Sequence, residues 1–123
     1  MLRVQKDYRM PLPPTAEHHP IDLVHLRRMT LGDAGLEREV LAMFLKQVDS
    51  VLGALAGSPP DAGALAHTLK GSARAIGAFG VADQASALEG AIRDGGDTTQ
   101  ALAALDAAVG EARTAIAAVL DGS

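Results

Sequence analysis

The stretch at the centre of the chain reads Ala66-His67-Thr68-Leu69-Lys70-Gly71-Ser72-Ala73-Arg74-Ala75-Ile76-Gly77-Ala78. At about 100° per residue, one side of a helix over this stretch collects Leu69, Ala73 and Ile76. The opposite side collects two polar and two small residues, namely Gly63, His67, Arg74 and Ala78. The pattern therefore predicts an amphipathic helix that buries its apolar side and turns a histidine toward solvent beside positive charge.

Two helices are expected before this central one. Asp22 is suited to cap a short helix that ends near Thr30, and Asp33 to cap a longer helix that runs to about Ala56. The apolar residues of the longer helix recur at spacings of mostly three and four: Leu36, Val40, Leu41, Phe44, Leu45, Val48, Leu52 and Leu55. Pro59 disfavours helix at the residue before it, so we expect this helix to end before the prolines.

Two more helices complete the predicted fold. The central helix begins near Pro60, which the first turn of a helix tolerates, and residues 77–80 loosen or end it. The next helix carries an apolar stripe of Val81, Ala85, Leu88 and Ile92. The last helix begins at about Thr98, and its apolar stripe consists of Leu102, Leu105, Val109, Ala112, Ile116 and Val119. Because the connections are short, residues 21–123 are predicted to form an all-α, up-and-down antiparallel four-helix bundle with a short additional N-terminal helix.

The composition of the 123 residues limits the possible functions. A net charge of -4 argues against a nucleic acid or an anionic membrane as partner, and the absence of cysteine excludes disulfides and cysteine-based zinc sites. No apolar run reaches the roughly 20 residues that span a bilayer, and the N-terminus lacks the apolar core of a signal peptide. We therefore expect a protein of the cytoplasm, and separately we expect it to be a monomer.

Residues 1–20 differ from the rest of the chain. They contain prolines at Pro11, Pro13, Pro14 and Pro20 and show no sustained helical or strand period. Adjacent histidines such as His18 and His19 diverge by about 100° on a helix, which is poor geometry for one metal ion. We interpret this segment as a mobile, solvated arm.

The exposed side of the central helix combines groups that suit phosphoryl transfer. An unprotonated imidazole is a good nucleophile at neutral pH, and Lys70 lies one turn beyond His67, where its ammonium can offset charge on phosphoryl oxygens. Gly71 costs the helix about 0.5 to 1 kcal/mol relative to alanine, but it leaves room for another protein to approach. Each residue alone fits an ordinary solvated helix face, so the hypothesis depends on their combination.

The motif His67-Thr-Leu-Lys70-Gly71-Ser72-Ala73, followed by Ile76-Gly77-Ala78, resembles the signature of histidine-containing phosphotransfer (HPt) domains of multistep two-component signalling. The resemblance covers roughly residues 20–121 and includes the segments at residues 22–26, 31–33 and 88–89 and the aromatic Phe44. It implies a four-helix bundle whose exposed histidine takes a phosphoryl group from a receiver-domain aspartate and passes it to another.

The same resemblance implies roles for four residues. His67 would be the phosphoacceptor, Lys70 the lysine that faces the phosphate and Gly71 the glycine that makes space. Glu89 stands where the family has a side chain, glutamine in some members, that orients the imidazole. Glu89 could accept the proton of the imidazole Nδ1, pair with Lys70 instead, or be a plain surface acid.

The resemblance also implies how the chemistry is divided between two proteins. The receiver would carry the acidic pocket and Mg²⁺, while this chain would bind no cofactor or metal of its own. It has no Gly-rich nucleotide loop, so no autonomous kinase activity is expected. Receivers of response regulators or of a hybrid histidine kinase would dock on a surface around His67, formed by Ala64, Arg74, Ala75 and Ala78 with Leu26 and Met29 of the short helix, and with Arg28 at its rim.

Other interpretations stay open at this point. The dimerisation and phosphoacceptor bundle of a histidine kinase also carries a histidine, but its usual His-Glu pair is missing because Thr68 follows His67. The phosphotransfer part of a chemotaxis-type kinase shares the fold but is joined to catalytic domains for which this length leaves no room. A helical scaffold or a metal-binding bundle would differ in class, and a metal site would need inward-facing ligands where the predicted inner faces are aliphatic.

Overall fold

A computed structural model describes residues 19–122, so the predicted arm lies outside the described residues except for its last two positions. Within that range the chain forms five helices and no strand. The helices are α1 (Leu23–Met29), α2 (Ala34–Leu55), α3 (Ala62–Ile76), α4 (Phe79–Arg93) and α5 (Thr99–Gly122). The predicted all-helical class is confirmed, and none of these helices is long and apolar enough to cross a membrane.

The first two helices begin at the residues that the sequence predicts. The Asp22 carboxylate accepts a hydrogen bond from the backbone N–H of His25 at 3.1 Å, and the Asp33 carboxylate accepts one from Leu36 at 2.9 Å. These contacts satisfy N–H groups that the first turn of a helix cannot pair internally. The central helix α3 begins slightly later than predicted, at Ala62, because the N–H of Ala62 donates to the Pro59 carbonyl in a turn.

Gly77 ends α3 and also binds the segment before α1. Its φ of +90° places it in the left-handed region, which glycine adopts without the steric cost of a side chain. The Gly77 carbonyl accepts a hydrogen bond from the N–H of Asp22 at 2.9 Å. A Cβ atom at Gly77 would lie 2.7 Å from the Asp22 carbonyl oxygen. The turn after α3 is therefore the place where the short helix attaches.

One apolar core joins the long helices. Each contacts the next along the chain, α5 returns to contact α2, and α1 packs on α3. The interface between α3 and α4 is the most extensive of these contacts, and the two helices with the turn between them carry fully buried alanines, whose small side chains allow close approach. These alanines are Ala66, Ala73, Ala78, Ala82 and Ala85. The close approach brings the exposed edge of α3 beside that of α4.

Candidate functional site

His67 lies on the solvent side of α3, as the helical period predicts. Its side chain is 67% exposed, while the neighbouring Ala66 and Leu69 are fully buried. The burial of Ile76 and Ala73 confirms the predicted inner side of the same helix. The imidazole is thus presented on a helix that the core holds in place.

Glu89 reaches from α4 to both polar residues of the α3 motif. The Nδ1 of His67 lies 2.9 Å from Glu89 Oε2, and the Lys70 ammonium donates to Glu89 Oε1 at 2.8 Å. Two of the contacts that the sequence left as alternatives therefore occur together, and Glu89 is not a plain surface acid. That one carboxylate is shared between two partners becomes evident only when α3 and α4 lie side by side.

The carboxylate also determines which imidazole nitrogen carries the proton. An ionised carboxylate can only accept hydrogen bonds, so the nitrogen facing it must be the donor. In the neutral ring of His67, the hydrogen therefore resides on Nδ1, where it is donated to Glu89. Nε2 then keeps its lone pair, which is the requirement for nucleophilic attack.

The charge state of Glu89 follows from its contacts. The hydrogen bond from Lys70 is the main reason that the pKa of the Glu89 carboxyl lies below its ordinary value. Partial burial opposes this lowering of the pKa, while the hydrogen bond from His67 adds to it. Glu89 is consequently a carboxylate at neutral pH, as its role as a double acceptor requires.

The lowered pKa of Glu89 predicts how stability depends on pH. A group whose pKa is lower in the folded than in the unfolded chain stabilises the fold above the unfolded value, and this contribution is lost as the pH falls through the folded value. We expect wild type to exceed Glu89→Gln in stability above about pH 5, with the difference shrinking below about pH 4. Urea unfolding between pH 3 and pH 7 measures this difference, with Glu111→Gln on α5 as the control. A difference that is constant with pH would contradict the assignment.

Gly71 faces open space on the same side of α3. No heavy atom outside its own stretch of helix lies within 4 Å of the position that a Cβ would take. The packing of this chain therefore does not explain the glycine. Ala64, Arg74 and Ala75 are also exposed on this helix, in agreement with their predicted position around His67.

Two residues predicted for the docking surface are buried instead. Ala78 is fully buried because the left-handed turn at Gly77 ends the helix, so the helical projection no longer applies beyond it. Leu26 is fully buried because α1 turns this residue into the core where it packs on α3. Their assignment to an exposed surface is wrong. Met29, at 56% exposure, does remain accessible on α1.

A groove between α2 and α3 was not recognised from the sequence. Its volume is about 410 Å³, and it is lined by Val40, Met43, Phe44, Gln47, Ser72, Ala75 and Ile76. Met43 is 68% exposed, which is unusual for a large apolar side chain. Val40 and Met43 follow one another at helical spacing on α2, but this spacing does not show that α3 leaves space beside them. Because Ala75 lines it, the groove adjoins the exposed side of α3.

His25 connects α1 to the end of α3. Its Nε2 lies 3.0 Å from the carbonyl oxygen of Ala75, and its ring meets that of Phe79 edge to face, with centroids 5.2 Å apart. His25 therefore contacts a carbonyl in the last turn of α3, a helix other than its own. Among residues 19–122, no three His, Asp or Glu side chains are grouped to hold a metal ion.

The comparisons with known proteins are consistent with this geometry. A family model described as the Hpt domain matches residues 39–121, which include α3, α4 and the whole polar site. No curated protein and no solved structure matches the chain.

Proposed function

Since the chain belongs to the Hpt domain family, which takes part in histidine phosphotransfer in two-component signalling, we propose that His67 is its phosphoacceptor. His67 would take a phosphoryl group from a receiver-domain aspartate and transfer it to another receiver aspartate. The observation that carries this proposal is the contact of His67 Nδ1 with Glu89, which leaves Nε2 unprotonated on an exposed imidazole.

The transfer step needs little chemistry from this chain. The lone pair of His67 Nε2 attacks phosphorus, the bond between phosphorus and the aspartyl oxygen breaks, and its electrons remain on the aspartate carboxylate. The imidazole keeps its Nδ1 proton, and the positive charge that develops on the ring lies beside Glu89. Mg²⁺ and the acidic pocket belong to the receiver in this proposal, so the chain itself needs no cofactor.

The helical arrangement supports the proposal. We propose that α2 to α5 form an up-and-down four-helix bundle with α1 across one end, in agreement with the successive helix contacts and the return contact of α5 with α2. In this arrangement α3 and α4 present His67 and Glu89 on one rigid face. Rigid elements hold reacting groups more accurately than loops do.

The receiver would dock over the exposed side of α3. Gly71 gives it room to approach, Ala64 and Ala75 present small apolar surface, and Arg74 adds positive charge. Two further features extend this surface with apolar area that is exposed to water in the free chain. They are the groove between α2 and α3, which Met43 lines, and Met29 on α1. We expect the free protein to be a monomer.

A direct experiment tests the proposed function. Receiver domains labelled with ³²P on aspartate are mixed with the chain, and the chain is then assayed for label that acid releases and alkali retains. We expect such label on this protein with at least one receiver. Its absence with every receiver of the source organism would favour a scaffold that does not transfer phosphate.

The proposed docking surface predicts opposite effects of one substitution on stability and on transfer. Gly71→Ala is expected to raise stability by about 0.5 to 1 kcal/mol, because alanine favours helix and open space surrounds the site. The added methyl group is expected to slow transfer from a phosphorylated receiver. Gly110→Ala on α5, where open space also surrounds the glycine, should bring a similar stabilisation and leave transfer unchanged. Equal transfer rates for both variants would contradict docking over Gly71.

A further inference from the structure

The groove between α2 and α3 leaves apolar surface open to water. Phe44 and Ile76, which line it, are 4% and 6% exposed, whereas Met43 beside them is 68% exposed. Its volume of about 410 Å³ is large enough to receive a short stretch of chain. Such a concave apolar surface gains free energy when an apolar segment covers it.

The N-terminal arm joins the described fold beside this groove. Ile21 is buried, and the N–H of Asp22 donates to the Gly77 carbonyl at 2.9 Å. Gly77 directly follows Ile76, which is one of the residues that line the groove. Residues 1–18 are therefore connected to the fold within one residue of the groove.

The arm contains a segment whose length and chemistry match the groove. This segment, which we call the proline segment, is Met10-Pro11-Leu12-Pro13-Pro14, and all its side chains are apolar. The groove extends along α2 from Val40 to Gln47, about 10 Å at 1.5 Å per residue. In the polyproline II conformation the proline segment would span about 12 Å, and the connecting residues 15–20 about 19 Å. The connection is therefore long enough for the segment to reach the groove.

Three physical factors favour contact between the proline segment and the groove. Prolines restrict the chain before it binds, so ordering it costs little entropy, and they carry no N–H that would lose its water on burial. The tether gives the segment an effective concentration in the millimolar range, so a weak affinity is sufficient. Residues 1–18 contain three basic and two acidic side chains, and the remaining residues eight and thirteen, so the net charges attract.

We propose that the proline segment binds in the groove between α2 and α3 of its own chain and competes there with a docking partner. Ala75 lines the groove and also belongs to the proposed docking surface, so the two occupants exclude each other. The competition rests on the proposed function, whereas the contact of the arm with the groove does not. The arm then acts as a built-in inhibitor that a partner must displace.

The first test places a nitroxide on the arm of the full chain. The sequence has no cysteine, so Arg9→Cys provides a single attachment point next to the proline segment. We expect the nitroxide to broaden the ¹³C-methyl NMR signal of Met43 strongly, relative to the same sample after reduction of the label. Leu12→Asp should remove this broadening. Leu2→Asp, which adds the same charge to the arm outside the proline segment, is the matched control and should retain it.

A mixed sample shows whether the arm binds its own chain or a second copy. Nitroxide-labelled chain without ¹³C is mixed with ¹³C-labelled chain without nitroxide. We expect the Met43 signal to stay sharp in this mixture. Broadening of that signal would show that the arm occupies the groove of a neighbouring copy, and it would overturn the inference.

The second test measures ³²P transfer from a phosphorylated receiver to the full chain below saturation. A segment that covers the groove for about nine-tenths of the time weakens the apparent affinity of a partner about tenfold. We therefore expect Leu12→Asp to speed transfer by about 3- to 10-fold. Leu2→Asp should transfer at the wild-type rate.

The outcomes separate the inference from the proposed function. An arm that stays solvated, as the sequence alone predicts, would leave the Met43 signal sharp and overturn the inference even if transfer occurs. Broadening of Met43 with equal transfer rates for Leu12→Asp and Leu2→Asp would show that the arm does not compete, and would overturn it as well. If no receiver transfers phosphate to any variant but Leu12→Asp removes the broadening, the contact is upheld and the proposed function fails instead.

Discussion

Replacement of His67 by glutamine is expected to abolish uptake of ³²P from a phosphorylated receiver while the fold persists. Glutamine has no nucleophilic nitrogen, so no phosphorus–nitrogen bond can form at this position. The side chain is 67% exposed, and substitutions at exposed positions usually change stability by less than about 0.5 kcal/mol. Helicity and the melting temperature should therefore stay close to those of wild type, which separates lost chemistry from lost folding.

The matched control is His19→Gln, which removes another exposed histidine outside the five helices. This variant should take up label as wild type does. Acid-labile label on His67→Gln would show that another residue accepts the phosphoryl group, and the assignment of His67 would be wrong. Loss of label together with loss of helicity would instead show that His67 supports the fold.

Gly77→Ala is expected to cause the largest loss of stability among the substitutions considered. Left-handed backbone costs a residue with a side chain about 1 to 2 kcal/mol, and φ at this position is +90°. The new Cβ would also lie 2.7 Å from the Asp22 carbonyl oxygen, a backbone atom that can yield only if the segment before α1 moves. Together we expect roughly 2 to 4 kcal/mol of destabilisation, which corresponds to about 10 °C or more in melting temperature.

Gly95→Ala provides the control for the backbone term. Gly95 also has a positive φ, +70°, but nothing lies within 4 Å of a Cβ built there. Gly95→Ala should lower the free energy of unfolding by about 1 to 2 kcal/mol. The additional loss of stability in Gly77→Ala then measures the collision with Asp22. Hydrogen exchange provides a second measurement, because α1 amides should exchange faster in Gly77→Ala than in Gly95→Ala. Equal exchange in the two variants would contradict the attachment of α1 through Gly77.

The attachment of α1 also affects the exposed face of α3. The Ala75 carbonyl is contacted by His25, and the buried Leu26 fills space beneath α1. Release of α1 would leave the Ala75 carbonyl without this contact and would expose Leu26 to water. The proposed docking surface, which includes Ala75, therefore depends on the attachment of α1 as well.

Much of the fold was predictable from local patterns. The spacing of apolar residues identified the four long helices, and the aspartates at positions 22 and 33 cap the helices that they were predicted to cap. Such signals are local, since a cap bonds to N–H groups two or three residues away and an apolar stripe repeats every turn. Ala78 was predicted to be exposed but is buried, because the chain leaves the helical path at Gly77. Leu26 was also predicted to be exposed, because helical spacing alone does not say which neighbour covers a residue.

The candidate site was predictable only in part. His67, Lys70 and Gly71 lie within five residues of one helix, so the sequence alone places them on one exposed side. Glu89 lies 22 residues beyond His67, and its position could be inferred only from the family resemblance. The groove that includes Met43 was missed, because it forms only where α2 and α3 leave space between them.

The sequence by itself therefore determined which residues form helices, which side of α3 faces water, and which groups stand beside His67 on that helix, because these depend on spacing along one chain segment. The tertiary structure alone decided that one carboxylate serves both His67 and Lys70. Those contacts depend on the separation and register of α3 and α4, which depend on how the buried side chains of both helices pack in the common core.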